Sequence, residues 1–246
     1  MAISVAGVSK AYRSRKDPVL ALDRVSLEVA RGEFVCLVGA SGCGKSTLLN
    51  LLAGLDKPNA GTLEVEGKAG LMFQDPALLP WLSAVDNVAM PLRLAGVAKA
   101  ERREKAEQLL ETVRLFGQGD KRPHELSGGM RQRVSLARSL AQGTEILLMD
   151  EPFAAVDAMT RDVLHDELER VWQQSGMTIV FVTHNVGEAV RLADRILLLT
   201  SRPGRVQEEF KVDIARPRRI DAPDVAALAS HVTNQLRSEV RRHAND

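Results

Sequence analysis

The segment from Gly39 to Ser46 has the residue types and spacing needed to hold phosphate. It reads Gly39-Ala40-Ser41-Gly42-Cys43-Gly44-Lys45-Ser46, fits the pattern GxxxxGK[ST], and is followed by Thr47. Glycines permit close backbone approach, so successive amide N–H groups can surround an anion at the start of a helix. Lys45 can neutralise phosphate and the Ser46 hydroxyl can ligate Mg²⁺. We predict a nucleotide-binding loop. The alternative is a glycine-rich turn with a solvated lysine.

Two adjacent carboxylates end an apolar run further along the chain. The run from Ile146 to Met149 is followed by Asp150 and Glu151. Because successive residues of a strand face opposite ways, one carboxylate can face Mg²⁺ while its neighbour addresses a different point in the site. The alternative is an acidic strand end that faces solvent.

A third motif, Leu126-Ser127-Gly128-Gly129-Met130-Arg131-Gln132-Arg133, reads LSGG-x-x-QR. Its six fixed letters would recur by chance in on the order of one chain of this length in 100,000, against roughly one in a hundred for the phosphate-loop pattern, so it is the more specific signal. The Ser127 hydroxyl is a good N-cap, and the amides of Gly128 and Gly129 would form a second anion site at a helix N-terminus. The residues expected on the buried face of that helix are Met130, Val134, Ala137 and Ala141.

Strand-length apolar runs alternate with helical patterns, which is typical of an α/β fold. The runs lack the polar alternation of a half-exposed strand, so they predict a parallel sheet covered on both faces. They are Phe34 to Val38, Ile146 to Met149, Ile179 to Val182 and Ile196 to Leu199. The early segment from Ile3 to Leu27 predicts a small antiparallel sheet.

The remaining patterns predict an inserted helical subdomain and a C-terminal tail. We assign residues 1–210 to one domain, with a helical subdomain at about 76–142, and residues 211–246 to a linker and helical tail. Within the subdomain, the charged segment from Lys99 to Phe116 has helical spacing and is expected to stop at Gly117 and Gly119. Residues 216–219 read as a basic linker. The tail's apolar positions are Val225, Leu228, Val232, Leu236 and Val240.

Composition limits the function classes. The 246 residues are 45% hydrophobic with a net charge of +1, which is ordinary for a globular protein and gives no sign of nucleic-acid binding. Cys36 and Cys43 are too few for a disulfide framework and suit a reducing cytoplasm. No run of eighteen apolar residues predicts a membrane span, and the N-terminus lacks the order of a signal peptide, so we expect any membrane association to go through a partner.

Taken in this order, the three motifs resemble those of the ATPase subunits of ABC transporters, over nearly the whole chain up to about Phe210. The resemblance implies a P-loop α/β ATPase core with ATP and Mg²⁺ as cofactors. It also implies that Asp150 holds the metal, together with Ser46 and Gln74, and that Glu151 polarises the attacking water. A positioned base of this kind is typically worth about 10²–10⁴-fold in rate.

The resemblance assigns further residues. His184, after the strand that begins at Ile179, matches the histidine that contacts the γ-phosphate, and Gln74 matches the glutamine that links the site to the membrane partner. Asp157 matches the D-loop, with Val156 where the family more often has leucine. Tyr12, the only tyrosine, matches the aromatic under adenine; a partly exposed core aromatic is the alternative. We expect the other histidines (His124, His165, His231 and His243) to be surface residues.

The resemblance also implies a two-fold dimer. Leu126, Ser127, Gly128, Gly129 and Gln132 of one copy would close over the phosphate loop of another, so that two ATP molecules are sandwiched head to tail. The interface of such a dimer is isologous.

Two stretches favour one branch of the family, the importers of nitrate, taurine and aliphatic sulfonates. They are residues 74–81 with 86–88, and residues 201–206. The implied partners are integral-membrane permease subunits and, through them, a periplasmic or extracellular solute-binding protein. The implied location is the cytoplasmic face of the inner membrane. The apolar stretch from Leu78 to Trp81 is a candidate permease contact, unless Trp81 is core. The alternatives are a soluble ABC ATPase of DNA repair or translation, and an exporter or lipid-trafficking ATPase.

Overall fold

The structure is a computed structural model that describes residues 1–13 and 18–244. Its strands are β1 (Ile3–Tyr12), β2 (Val19–Val29), β3 (Phe34–Val38), β4 (Ala60–Val65), β5 (Ala69–Met72), β6 (Ile146–Asp150), β7 (Thr178–Val182), β8 (Arg195–Leu199) and β9 (Val206–Lys211). Its α-helices are α1 (Lys45–Leu52), α2 (Ala84–Leu94), α3 (Lys99–Thr112), α4 (Gly128–Leu140), α5 (Ala158–Ser175), α6 (Val186–Leu192) and α7 (Pro223–Ala244). No helix in the described ranges is long and apolar enough to cross a bilayer.

The large sheet has the order β5-β6-β7-β3-β8-β9. The first five of these strands are parallel, as the sequence predicts, and β9 pairs antiparallel with β8 at the edge. The sequence does not predict β9, because its residues are mostly half-exposed or exposed and form no apolar run. The sheet is therefore mixed, with a parallel body and one antiparallel edge strand.

Both faces of the large sheet are covered, which explains why its strands are apolar throughout. Phe34, Cys36 and Val38 of β3 belong to one buried cluster, whereas Val35 and Leu37 belong to the other. This division follows the two-residue period of a strand, whose successive side chains point to opposite faces. A strand that is buried on both faces has no solvent-exposed face, so its sequence shows no alternation of polar and apolar residues.

The smaller sheet is antiparallel and has the order β2-β1-β4. The predicted antiparallel sheet over Ile3 to Leu27 is confirmed, and β4 adds a third strand that the sequence does not announce. Residues of β1 and β2 pack with α1 in the second buried cluster. This sheet therefore flanks the helix that follows the phosphate loop.

Three helices, α2, α3 and α4, lie between β5 and β6 in the chain. Helix α3 ends at Thr112, earlier than the predicted stop at Gly117, because Arg114 already adopts a left-handed φ of 57°. Helix α4 begins as predicted: the Ser127 hydroxyl accepts a hydrogen bond from the Met130 amide at 3.3 Å. Its expected inner face is confirmed, with Val134, Ala137 and Ala141 buried and Met130 packed against the core.

The segment predicted as a basic linker is pinned to the core. The Arg218 side chain is buried and donates to the carbonyl oxygens of Val190, Ala193 and Val212 at 3.0, 2.6 and 3.0 Å. Burial, aided by the charge of Arg216, lowers the pKa of Arg218 to about 10. Backbone carbonyls therefore replace water around the Arg218 guanidinium within the predicted basic linker.

Helix α7 packs on the same core through four of its five predicted apolar positions. Val225 and Val232 are buried, Leu228 and Leu236 are partly buried, and Val240 is exposed. The tail therefore adds to the hydrophobic core.

The loop after β8 lies against the backbone of the phosphate loop. The Gly204 amide donates to Ala21 O, and the Asp23 amide donates to Gly204 O, both at 2.9 Å. A Cβ on Gly204 would lie 2.1 Å from the carbonyl oxygen of Cys43. Only glycine fits between these two backbone segments.

Replacing Gly204 with alanine is therefore expected to destabilise the protein, because two backbone segments would have to separate. Overpacking costs roughly 1–3 kcal/mol, and about 2–4 °C of melting temperature is lost per kcal/mol at this chain length. Thermal unfolding followed by circular dichroism measures the loss. Gly119→Ala is the matched control, because its Cβ would meet no atom closer than the Val85 Cβ at 3.5 Å. Equal melting temperatures for the two variants would contradict this account.

Candidate functional site

The phosphate loop connects β3 to α1 through backbone conformations that favour glycine. Gly42 and Gly44 have φ values of 76° and 100°. A Cβ on Gly44 would also lie 2.7 Å from the carbonyl oxygen of Ala21. The Lys45 side chain is buried, and its ammonium donates to the carbonyl oxygens of Gly39 and Ala40 at 2.8 and 3.0 Å. The loop is therefore a compact turn closed by its own lysine.

A cleft of about 330 Å³ gathers most of the residues singled out in the sequence. Its lining consists of Tyr12, Val19, Ala21, Ser41, Gly42, Gly44, Lys45, Ser46, Thr47, Gln74, Asp150, Glu151 and Arg202. Gly39, Ala40 and Cys43 belong to the same loop but do not line the cleft. Cys43 is instead buried in the core beneath it.

Asp150 is the last residue of β6 and is almost fully buried. Burial raises the pKa of its carboxyl, as does the charge of Glu151, while the Ser46 hydroxyl and the charge of Lys45 act in the opposite direction. The net pKa lies above the usual value because a carboxylate in a poorly solvated position is disfavoured. Asp150 therefore carries a charge that the fold does not fully neutralise.

Glu151 does not continue the strand, which corrects the expectation that strand alternation separates the two carboxylates. Its φ is 47°, in the left-handed region that side chains rarely adopt, and its amide donates to Val182 O at 3.0 Å. This turn leaves both carboxylates on the lining of the same cleft. They are separated by a bend in the backbone and not by opposite faces of a sheet.

The Glu151 carboxylate is held between two polar side chains. The Gln74 amide donates to Glu151 Oε2 at 3.2 Å, and His184 Nδ1 lies 3.3 Å from the same oxygen. Gln74 follows β5 and His184 follows β7, and these two strands flank β6, which Glu151 follows. Both contacts therefore come from the strands on either side of β6. The arrangement fixes one carboxylate oxygen and leaves the other for a proton.

His184 is supported by a buried polar contact at the neighbouring residue. The Thr183 hydroxyl donates to Glu188 Oε2 at 2.6 Å. Burial tends to raise the pKa of Glu188, but the contacts with His165 and Thr183 outweigh it, so the pKa lies below its usual value. His165 is fully buried, 3.7 Å from Glu188 Oε1, so the prediction that it is a surface residue is wrong. His184 itself is largely exposed.

The residues of the LSGG-x-x-QR motif, called the signature residues, lie apart from the cleft, and α4, which begins within this motif, is called the signature helix. None of the described residues that line the cleft belongs to the segment 126–133. Leu126 is buried, and a Cβ on Gly129 would lie 3.1 Å from Ala155 O, so the start of α4 packs close to the D-loop. The Gln132 amide reaches Gln74 O at 3.4 Å. One side chain thus connects α4 to the segment that carries Gln74.

Asp157 and Tyr12 occupy exposed positions. The Asp157 carboxylate caps α5 by accepting from the Thr160 amide at 3.0 Å, which holds its pKa below the usual value. Tyr12 lines the cleft and is 41% exposed, with its hydroxyl 3.3 Å from Asp56 Oδ2. The Lys10 ammonium lies 5.1 Å from the ring centroid, and Tyr12 belongs to neither buried cluster.

The apolar stretch from Leu78 to Trp81 separates into a packed and an exposed part. Leu78 packs against the core, whereas Trp81 is 68% exposed, so the reading of Trp81 as core is wrong. Leu79 lines a second cleft of about 420 Å³ on the helical side of the molecule. The other residues of that cleft are Lys68, Met90, Pro91, Leu94, Ala95, Arg138 and Gln142.

Comparison with known proteins identifies the family of this chain. The family described as ABC transporter matches residues 22–154, which is more than half of the chain. The chain belongs to this family. A dimeric ATP-binding cassette, MJ0796, in a post-hydrolysis state with ADP and phosphate bound, superposes with a TM-score of 0.81 at 33% identity, covering 87% of this chain and 100% of that one. The protein is therefore an ABC ATPase that binds ATP.

Several relatives are importer subunits by name. The taurine import ATP-binding protein TauB of Burkholderia thailandensis is 46% identical, with 85% of this chain and 84% of the relative covered. The nitrate import ATP-binding protein NrtD of Synechocystis is 42% identical, with 87% and 84% covered. An uncharacterized ABC transporter ATP-binding protein of Methanocaldococcus jannaschii is 44% identical, with 97% and 92% covered. The resemblance to the importer branch is confirmed at this level.

Two side chains at the site have no role in the sequence motifs. Arg202 lines the cleft, although its segment, residues 201–206, indicates only the branch of the family. Glu188 supports the residue before His184 from within α6. A basic residue three positions after the apolar run that ends at Leu199 was the available signal for Arg202, whereas nothing in the sequence marks Glu188.

Asp150→Asn is expected to raise the melting temperature at pH 7. A carboxyl with a raised folded pKa loses stability as the pH rises from its unfolded pKa, about 3.9, through the folded value. The amide avoids that loss and keeps an oxygen for the Ser46 hydroxyl. The gain should therefore shrink toward pH 4, which thermal unfolding across a pH series tests. Asp157→Asn, at a carboxyl whose pKa is lowered, should give no gain. An Asp150→Asn protein that melts below the wild type at pH 7 would disprove this.

Proposed function

We propose that the protein is the energy-coupling ATPase of an importer for a small anion or organic solute of the nitrate, sulfonate or taurine kind. The observation that carries the proposal is the pairing of a complete nucleotide cleft with a signature helix that does not line it. The import relatives at 42–46% identity support the solute class. The protein would act on the cytoplasmic face of the membrane, bound to a permease that receives solute from an extracytoplasmic binding protein.

Under this proposal, the motif residues in and beside the cleft have roles in ATP hydrolysis. The loop amides and Lys45 bind the phosphates, and Tyr12 stacks on adenine, where base–aromatic stacking is worth about 1–3 kcal/mol. Glu151 accepts a proton from the attacking water through the oxygen that Gln74 and His184 leave free. His184, being largely exposed, can also reach the γ-phosphate. The groups act by position and charge, which is the usual basis of phosphoryl-transfer catalysis.

The residues present fit a magnesium ion. Mg²⁺ prefers oxygen donors and keeps several waters when it binds with nucleotide phosphates. The Ser46 hydroxyl, the Asp150 carboxylate and the Gln74 carbonyl line the same cleft, and the incompletely neutralised Asp150 would gain a cation partner. When bound, the metal would neutralise charge on the β- and γ-phosphates.

The separation of the two anion sites supports a head-to-tail dimer. The amides of Gly128 and Gly129 have no hydrogen-bond acceptor among the described residues, and this end of α4 packs beside the D-loop and away from the chain's own cleft. In a two-fold dimer it can approach the cleft of the second copy, so each ATP contacts both subunits. Hydrolysis removes the γ-phosphate that both copies contact, and the dimer opens. Full ATP turnover by strictly monomeric protein would contradict this order of events.

The second cleft is the proposed docking site for the permease. Leu94 is 78% exposed beside Met90 and Leu79, and an apolar groove of this kind on a helical surface suits an amphipathic segment of a partner. Arg138 lines the same groove and donates to the carbonyls of Pro76 and Ala77 at 2.7 and 2.9 Å. These two residues lie directly after the segment that carries Gln74, so docking is linked to the nucleotide site.

The domain division is part of the same proposal. Residues 1–210 would form the ATPase unit, with 76–142 as the helical subdomain that carries the docking groove and the signature helix. Residues 211–246 would form a tail whose role is to brace the core, which the buried Arg218, Val225 and Val232 support.

Glu151→Gln tests the ATPase assignment. The amide keeps size and hydrogen bonding but cannot accept the proton, so we expect ATP turnover to fall by about 10²–10⁴-fold while ATP binding persists. Gel filtration with Mg-ATP should then show a lasting dimer. Substantial remaining hydrolysis would show that the base is assigned wrongly.

Leu94→Asp tests the docking groove. A charge on this exposed apolar surface should abolish co-purification with the permease from detergent-solubilised host membranes, with the tagged Glu151→Gln protein in Mg-ATP as bait. ATP hydrolysis by the free Leu94→Asp protein should stay within about twofold of wild type, because the groove lies outside the nucleotide cleft. Leu55→Asp, at an exposed leucine outside the groove, is the control. Recovery of ribosomes or DNA with no integral membrane protein would instead favour a soluble ABC ATPase.

A further inference from the structure

The loop after β8 carries an arginine that none of the roles above uses. Arg202 lines the nucleotide cleft together with Ser41, Gly42 and Lys45. Its Nη2 lies 3.3 Å from the point that a Cβ on Gly42 would occupy, so the guanidinium is next to the backbone of the phosphate loop. We propose that Arg202 is a second phosphate-binding cation, which contacts the ATP triphosphate in the same subunit as Lys45. This proposal rests on the assignment of the cleft as the nucleotide site.

The sheet order brings Arg202 to this point. Strand β8 lies beside β3 and runs parallel to it, so the loop that follows β8 leaves the sheet next to the phosphate loop. In an open parallel sheet, ligands bind outside the carboxyl ends of the strands. Arg202 therefore occupies the edge of the sheet at which a phosphate ligand is expected.

The loop that carries Arg202 is internally bonded. The Thr200 hydroxyl donates to Pro203 O at 2.8 Å and accepts from the Arg205 amide at 2.9 Å. The Ser201 amide donates to Glu239 Oε1 of α7 at 3.2 Å, and Gly204 is fixed against Cys43. Because the backbone on both sides of Arg202 is fixed, binding needs to order only its side chain, which keeps the entropic cost low.

The charges that line the cleft favour a second cation beside the triphosphate. Lys45 already donates to two loop carbonyls, while Asp150 and Glu151 bring negative charge to the same lining. Arg202 is exposed, and among the described residues no carboxylate lies within 4.0 Å of it. A guanidinium offers five donors in a fork that suits phosphate oxygens. Arg205, in the same loop, has its guanidinium on Asp23 and so provides a contrast.

The test compares Arg202→Ala, Arg202→Lys and the matched control Arg205→Ala in the full-length protein. Calorimetric titration with ADP, with a slowly hydrolysed ATP analogue and with adenosine gives Kd values, each with Mg²⁺ present. Arg202→Ala should raise Kd for both phosphorylated ligands by about tenfold, since one charge-assisted contact is lost, and leave adenosine unchanged. The Kd of Arg202→Lys for these ligands should lie between those of wild type and Arg202→Ala. The Kd of Arg205→Ala should stay within about twofold of wild type.

Two further readouts separate binding from folding. Melting temperatures should be equal for wild type and Arg202→Ala, and added salt should raise Kd for ADP more steeply in the wild type, because a screened ion contact is present only there. Unchanged ADP affinity in Arg202→Ala would overturn the proposal, as would an equal loss for adenosine or an equal loss in Arg205→Ala. A wild-type protein that binds no ADP would instead refute the nucleotide site itself.

Discussion

The parallel alignment of five neighbouring strands is the constraint on which the site depends. Strands β5, β6, β7, β3 and β8 run in one direction, so their carboxyl ends meet at one edge of the sheet. In that spatial order they deliver Gln74, the Asp150–Glu151 pair, His184, the phosphate loop and Arg202. These residues come from distant parts of the sequence, and only the order of the strands makes them neighbours. A change in strand order would keep every motif and still lose the site.

Close backbone contact then fixes the geometry at that edge. Gly44 and Gly204 each lie so near another main chain that no side chain fits, so the phosphate loop is held from two sides. Glu151 adds a strained φ, which typically costs about 1–3 kcal/mol and persists only when its surroundings enforce it. The hydrogen bond from its amide to Val182 and the contacts with Gln74 and His184 supply that enforcement. Strain and an incompletely neutralised Asp150 are both located where phosphate chemistry is performed, as expected for a site that favours its ligand over its own stability.

Short-range signals account for what the sequence predicts correctly. The phosphate loop, the buried parallel strands and the Ser127 cap of α4 each depend on residues within one turn or one strand, and all three are present. What the sequence does not reveal depends on distant partners. The antiparallel strand β9 needs β8 as its template, and the burial of Arg218 needs carbonyls that lie 25 and 28 positions away. The direction of Glu151 likewise depends on a bond to β7.

Gln74 shows how nucleotide chemistry and partner binding can share one mechanical element. Its side chain contacts the Glu151 carboxylate, while its main-chain carbonyl accepts a weak bond from Gln132 of the signature helix. The next residues along the chain, Pro76 and Ala77, are held by Arg138 at the edge of the second cleft. A shift of α4 relative to the sheet would therefore pull on both ends of this short segment and change how Glu151 is oriented. Under the proposed function, a permease segment in the second cleft would bias the base through this segment.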